Sequence, residues 1–241
     1  MLITTRAIIF RATKYQESSL ILDAYTELKG LRKYIISGVR KAKARTPASL
    51  LQVMNLVEIV AYEREDREIN RLKEVRLAYP YQQIPFDLMR GTLGLFMAEV
   101  ARKTVREREN NPGLFQFLYE SFQFLDQTEA SLANVHLHFL LELSTYLGFM
   151  PSGEWSIHTP IFDLKEGQFG SGAPRHPDYL PEEKSAWVHQ LLHLDKAHAH
   201  EIKIPKTERL ALLRELLRFY HLHLDGIGEV NSLEVVSEVM R

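Results

Sequence analysis

Near Tyr79-Pro80-Tyr81 the hydrophobic pattern changes its period, and this change constrains the fold more than any other feature of the sequence. Before it, β-branched and aromatic residues come in short runs: Ile3 to Phe10, Ser19 to Thr26, Leu31 to Ser37, Val53 to Tyr62 and Ile69 to Leu77. In the second run Leu20, Leu22 and Ala24 alternate with Ser19, Asp23 and Tyr25, as a half-buried strand requires. Lys29-Gly30 reads as a tight turn into the third run. After the change the spacing becomes helical. Met89, Leu93, Phe96 and Val100 share one face, and Leu114, Leu118, Phe122 and Leu125 share the next, opened by Pro112. A third stripe runs from Leu132 to Tyr146 and stops at Gly148, and further helices follow Pro181, Pro205 and Asn231. Between Met150 and Tyr179 prolines and the stretch Gly167-Gln-Phe-Gly-Ser-Gly172 predict a loop-rich insert. The expected class is α+β. A five-stranded, OB-like β-barrel over residues 1–80 precedes a mostly helical domain over 81–241, with the insert at about 150–180.

Charge divides along the same line. The whole chain carries a formal −1, but residues 1–78 hold 15 Lys+Arg against 9 Asp+Glu, a net of +6, which leaves −7 on the remainder. The densest cationic stretch is Arg40-Lys41-Ala-Lys43-Ala-Arg45, between the third and fourth runs, with Arg32 and Lys33 before it and Arg6 near the first. Small residues between the cations let a backbone approach a polyanion, so this loop is the first candidate for phosphate binding; the bland alternative is a solvated loop. Tyr15, Tyr25 and Tyr34 are candidates for stacking on bases, although strand aromatics more often fill cores.

Enzyme motifs are few. The chain has no cysteine, which removes thiolate nucleophiles and every Cys-ligated zinc site, and it has neither a P-loop nor a Gly-x-Ser-x-Gly elbow. Carboxylate groups such as Glu63, Glu65 and Asp66 read as solvated charge. All ten histidines follow residue 130. The His-x-His pairs at 136/138, 198/200 and 221/223 point to opposite sides of a helix, so they suit amphipathic boundaries rather than chelation. His189 and His193 have the spacing to share a metal, but Gln190 stands where a zinc protease carries its glutamate. The expectation is no metal, no cofactor and no enzyme. No apolar run reaches the roughly 18 residues of a membrane span, and the first residues lack the order of a secretory signal, so a cytoplasmic protein is expected.

Several segments also carry a resemblance. Thr4-Thr5-Arg6-Ala7-Ile8-Ile9-Phe10, Glu17-Ser18-Ser19-Leu20-Ile21-Leu22, and Gly30-Leu31 leading to Gly38-Val39-Arg40-Lys41-Ala42-Lys43 and Leu50-Leu51-Gln52 resemble the N-terminal domain of the bacterial RecO family of DNA repair proteins. Tyr146-Leu-Gly-Phe-Met-Pro151 and Arg218-Phe-Tyr-His-Leu-His-Leu224 resemble its later landmarks. The resemblance implies an OB barrel with a helical domain and a non-enzymatic recombination mediator. Such a protein binds single- and double-stranded DNA, anneals complementary strands and, with RecR, helps load RecA onto DNA coated by single-strand-binding protein (SSB), whose acidic C-terminal tail docks on the helical domain. It implies DNA contacts at Arg40, Lys41, Lys43 and Arg45, with Arg6, Arg32 and Lys33 as further candidates. Many members carry a four-cysteine zinc module in the stretch corresponding to Met150 to Tyr179; this chain has none of those cysteines, so packing of Trp155, Ile161, Phe162 and Phe169 is expected to hold the insert. The competing readings are a protein-interaction adaptor with no physiological nucleic acid and a metal-dependent hydrolase at His189 and His193.

Overall fold

The computed structural model describes residues 1–39, 46–64 and 66–240. Its first compact unit runs from Met1 to Gln127 and its second from Thr128 to Arg241.

Five strands, β1 (Leu2–Tyr15), β2 (Ser19–Thr26), β3 (Gly30–Ile36), β4 (Leu56–Tyr62) and β5 (Ile69–Tyr79), close into a barrel in the order β1-β2-β3-β5-β4. Closure depends on the length of β1. Its first half pairs antiparallel with β4, from Leu2↔Tyr62 to Ile8↔Leu56, and its second half reaches β2, ending at Tyr15↔Ser19. A register shift between Ile9 and Arg11 lets one strand serve both neighbours by adding twist. The strand therefore extends past the Phe10 boundary expected from sequence: Ala12 to Tyr15 keep their ladder partners although their side chains are exposed. Inward-facing Ala7, Ile9, Leu22, Tyr34, Val57 and Ile59 fill the barrel.

The outer face of β1 and β2 is buried as well. The Phe10 ring stacks on Tyr25 at 5.9 Å, and Tyr25 meets Phe115 at 6.2 Å, so α2 (Pro112–Gln127) covers this side. Both α1 (Leu88–Thr104) and α2 belong to the barrel's compact unit. Asp87 caps α1 by accepting from the Arg90 amide at 3.1 Å, and Asn111 caps the start of α2 by accepting from Leu114 at 3.1 Å. Between the helices the chain straps the β2–β3 turn. Leu31 N–H donates to Glu107 O at 2.9 Å, and Gly30, at φ +63°, sits so close that a Cβ would lie 2.2 Å from Glu109 O. Only glycine fits there.

The second unit holds α3 (Val135–Tyr146), α4 (Glu182–His193), α5 (Lys206–His223) and α6 (Ser232–Val239). The insert contains a sheet where loop was expected: β6 (Ile161–Asp163) pairs antiparallel with β7 (Gln168–Gly170) and β8 (Tyr179–Leu180). Strands of three, three and two residues are too short for an alternating pattern to show in sequence. Phe162 packs on Phe169 at 4.9 Å and on Phe219 of α5 at 5.7 Å, and Ser185 Oγ accepts from Phe162 N–H while donating to Leu180 O. The two later landmarks meet here. Phe149 lies against Phe219, Tyr220 and His223, with ring centres 5.3, 4.9 and 5.3 Å away. His136 and His138 are buried on α3 rather than at a boundary; His138 Nε2 bonds Leu194 O at 2.9 Å.

Candidate nucleic-acid interface

The seam between β3 and β5 is the barrel's shortest pairing. These strands run parallel through only Lys33↔Ile69, Tyr34↔Asn70 and Ile35↔Arg71. Beyond Ile35 they separate, and a groove of about 740 Å³ opens between Ile36, Ser37 and Gly38 on one side and Arg71, Leu72 and Lys73 on the other. The loop from β4 to β5 overhangs it with Arg64 and Arg67. Buried Asn70 pins that loop by accepting from Arg64 N–H at 3.0 Å and donating to Arg64 O at 3.3 Å. Among the described residues lining the groove there are four cations, Arg64, Arg67, Arg71 and Lys73, and no acid. Among the described residues no carboxylate lies within 4.0 Å of Arg64, Arg67 or Arg71, and Lys73 has only Glu74, at 3.9 Å.

The basic loop Arg40, Lys41, Lys43 and Arg45 lies outside the described residues. Its roots do not: Gly38 and Thr46, which flank it, both line the groove. The other candidates divide. Arg32 and Lys33 border an adjacent hollow that shares Arg64 and Arg67 with the groove. Arg32 is held against Glu63 at 3.2 Å and donates to Arg108 O at 2.5 Å, while Lys33 pairs with Glu68 at 2.6 Å. Arg6 does not line the groove; it pairs with Glu27 at 2.6 Å and lies over the rings of Phe115 and Tyr119.

Two expectations are corrected by burial. Glu63 is 6% exposed instead of solvated, and accepts from both Arg32 and the Tyr34 hydroxyl. Tyr25 and Tyr34 are fully buried and offer no face to a base; burial, with nearby Glu107 and Glu63 respectively, pushes their phenols upward. Tyr15 is exposed, and Tyr62, exposed at the groove, is the aromatic that sequence reasoning overlooked. Arg64, Arg67, Arg71 and Lys73 were overlooked too. They alternate with Asp66, Glu68 and Glu74, and the sequence alone does not show which side each charge takes.

A groove of this kind on a closed five-stranded barrel is a basis for comparison with known proteins. The family description "Recombination protein O N terminal" matches residues 1–81, and "Recombination protein O C terminal" matches residues 85–233. The chain belongs to the RecO family. It is 39% identical over 242 residues to the DNA repair protein RecO of Christiangramia forsetii, covering 99% of both chains. RecO of Flavobacterium psychrophilum is 34% identical and that of Bacteroides fragilis 32% identical, again with 99% of each chain covered. Membership of the RecO family supports a role in DNA repair and recombination. Among the described residues, no helix is long and apolar enough to cross a membrane.

Proposed function

We propose that this RecO chain is a non-enzymatic recombination mediator of the cytoplasm that holds DNA in the β3–β5 groove. The observation that carries this reading is that Arg64, Arg67, Arg71 and Lys73, and among the described residues no acid, line a groove to which Gly38 and Thr46 at the roots of the basic loop also contribute. Guanidinium and ammonium groups lining a groove neutralise phosphates and release counterions, which gives affinity without reading bases. Single and double strands are both held in this way. With repulsion between two bound strands reduced, complementary bases can pair, and annealing needs no nucleotide hydrolysis. With RecR as partner, the protein helps load RecA onto SSB-coated DNA.

The tail of SSB belongs to the helical unit in this reading. There Lys206 and Arg209 flank an apolar hollow lined by Leu210, Leu213 and Met240. Its chemistry suits an acidic peptide: two cations beside aliphatic surface.

Fluorescence anisotropy with a labelled single-stranded oligonucleotide tests the central claim. Binding should saturate and weaken with salt, and replacing Arg40, Lys41, Lys43 and Arg45 by Ala should flatten the log–log salt slope by about 3, at roughly 0.7 per phosphate contact. Absence of saturable, salt-sensitive binding would favour the adaptor reading.

A further inference from the structure

We propose that Glu154, His189 and His193 form a zinc-binding site that ties the chain after Pro151 to α4. Their ligand atoms lie within 4.8 Å of one another, although Glu154 stands 35 residues before His189. The four-residue spacing on α4 sets the two imidazoles side by side, with ring centres 4.2 Å apart. Glu154 spans both, with one carboxylate oxygen 2.8 Å from His189 Nε2 and the other 3.8 Å from His193 Nε2.

Zinc bonds of about 2.0–2.2 Å at tetrahedral angles put ligand atoms about 3.3 Å apart. The two observed separations, one to each Glu154 oxygen, straddle that value, and all three ligand atoms lie within 4.8 Å of one another, so side-chain rotation brings them onto one ion. The supporting contacts are already those of a metal site. His193 Nδ1 donates to His189 O at 2.8 Å, which leaves Nε2, 3.8 Å from Glu154, as the ring nitrogen available to an ion. His189 is steadied by Phe169, edge-on at 5.8 Å, and by Trp155 at 6.4 Å. Without metal, His189 Nε2–H donates to Glu154; on binding, that proton moves to Nδ1 in the neutral ring, or leaves to solvent from the charged ring, and the ion takes its place.

Two imidazole nitrogens and one carboxylate favour zinc over calcium or magnesium, which prefer oxygen ligands. The Glu154 and His193 side chains are 75% and 54% exposed, so the ion has access from solvent and water can complete its coordination. The site gives the insert a second attachment to α4 beside the Ser185 hydrogen bonds.

Calorimetric titration of zinc into the full-length, untagged, chelator-stripped protein tests this. One saturable equivalent is expected, accompanied by a rise in melting temperature. Glu154→Gln and His193→Ala should each weaken that equivalent at least tenfold, while a His198→Ala/His200→Ala variant retains it. Both test residues are exposed, so the variants should fold, which circular dichroism checks. The absence of a saturable equivalent, or one unchanged in both variants, would overturn the proposal.

Discussion

The Arg6 guanidinium donates two hydrogen bonds to the Glu27 carboxylate, at 2.9 and 2.6 Å, while lying 4.9 Å from the centre of the Tyr119 ring. It thus fastens β1 to the turn after β2 and to α2. Arg6→Ala should lower stability by about 1–2 kcal/mol in urea unfolding, combining a forked ion pair with a ring contact. Arg6→Lys should cost nearly as much, because an ammonium cannot reproduce the fork. Oligonucleotide affinity should change little in either variant.

The groove cations should behave oppositely. Replacing Arg64, Arg67 and Arg71 together by Ala removes three exposed charges that lack a carboxylate within ion-pair reach among the described residues. The salt slope for single-stranded DNA should fall by about 2, with a melting temperature near that of the parent protein. An unchanged slope would remove the groove from the DNA path.

Asp126 is the acceptor on which the exit from the barrel depends. Its carboxylate takes the amide protons of Gln82, Gln83 and Ile84 and the hydroxyl of Tyr79. Burial pushes its pKa upward, but the three amides and the hydroxyl outweigh burial and hold it below the usual value. Asp126→Ala should cost on the order of 3 kcal/mol, since several donors lose their acceptor at once. A depressed carboxylate contributes stability that is present above its unfolded pKa and lost as pH falls through the folded one. The acid limb of unfolding should therefore be shallower in Asp126→Asn.

His136 gives a second pH dependence. It is 1% exposed, and burial, aided by the Arg209 charge, holds its pKa down to about 3. The unfolded chain takes up a proton near pH 6.5 that the folded chain refuses, so stability falls as pH drops from there toward 3. The slope from this group reaches about 1.4 kcal/mol per pH unit. His136→Gln should remove that slope in denaturation series between pH 5 and 7.

Much of the architecture was legible because its signals are local. Leu93, Phe96 and Val100 repeat at helical spacing, and Pro112, Gly148 and Pro181 stand at helix ends where geometry favours them. The site was legible only in part. Net charge by segment located the cationic side of the molecule, yet Arg64 and Arg71 became groove residues only through the β3–β5 pairing, a contact between distant parts of the chain. Glu63 read as solvent-exposed because nothing local reveals that Arg32 and Tyr34 close over it. His189 and His193 were visible as a pair, but Glu154 joins them from another segment.

The strap over the β2–β3 turn bears on how this protein can be dissected. A fragment ending at Pro80 would respect the change from strand to helix, yet it would strip the Leu31 amide of Glu107 O, leave Arg32 without Arg108 O, and expose Tyr25 where Phe115 now covers it. The smallest piece expected to express as an autonomous barrel ends after Gln127, carrying both helices as part of its coat.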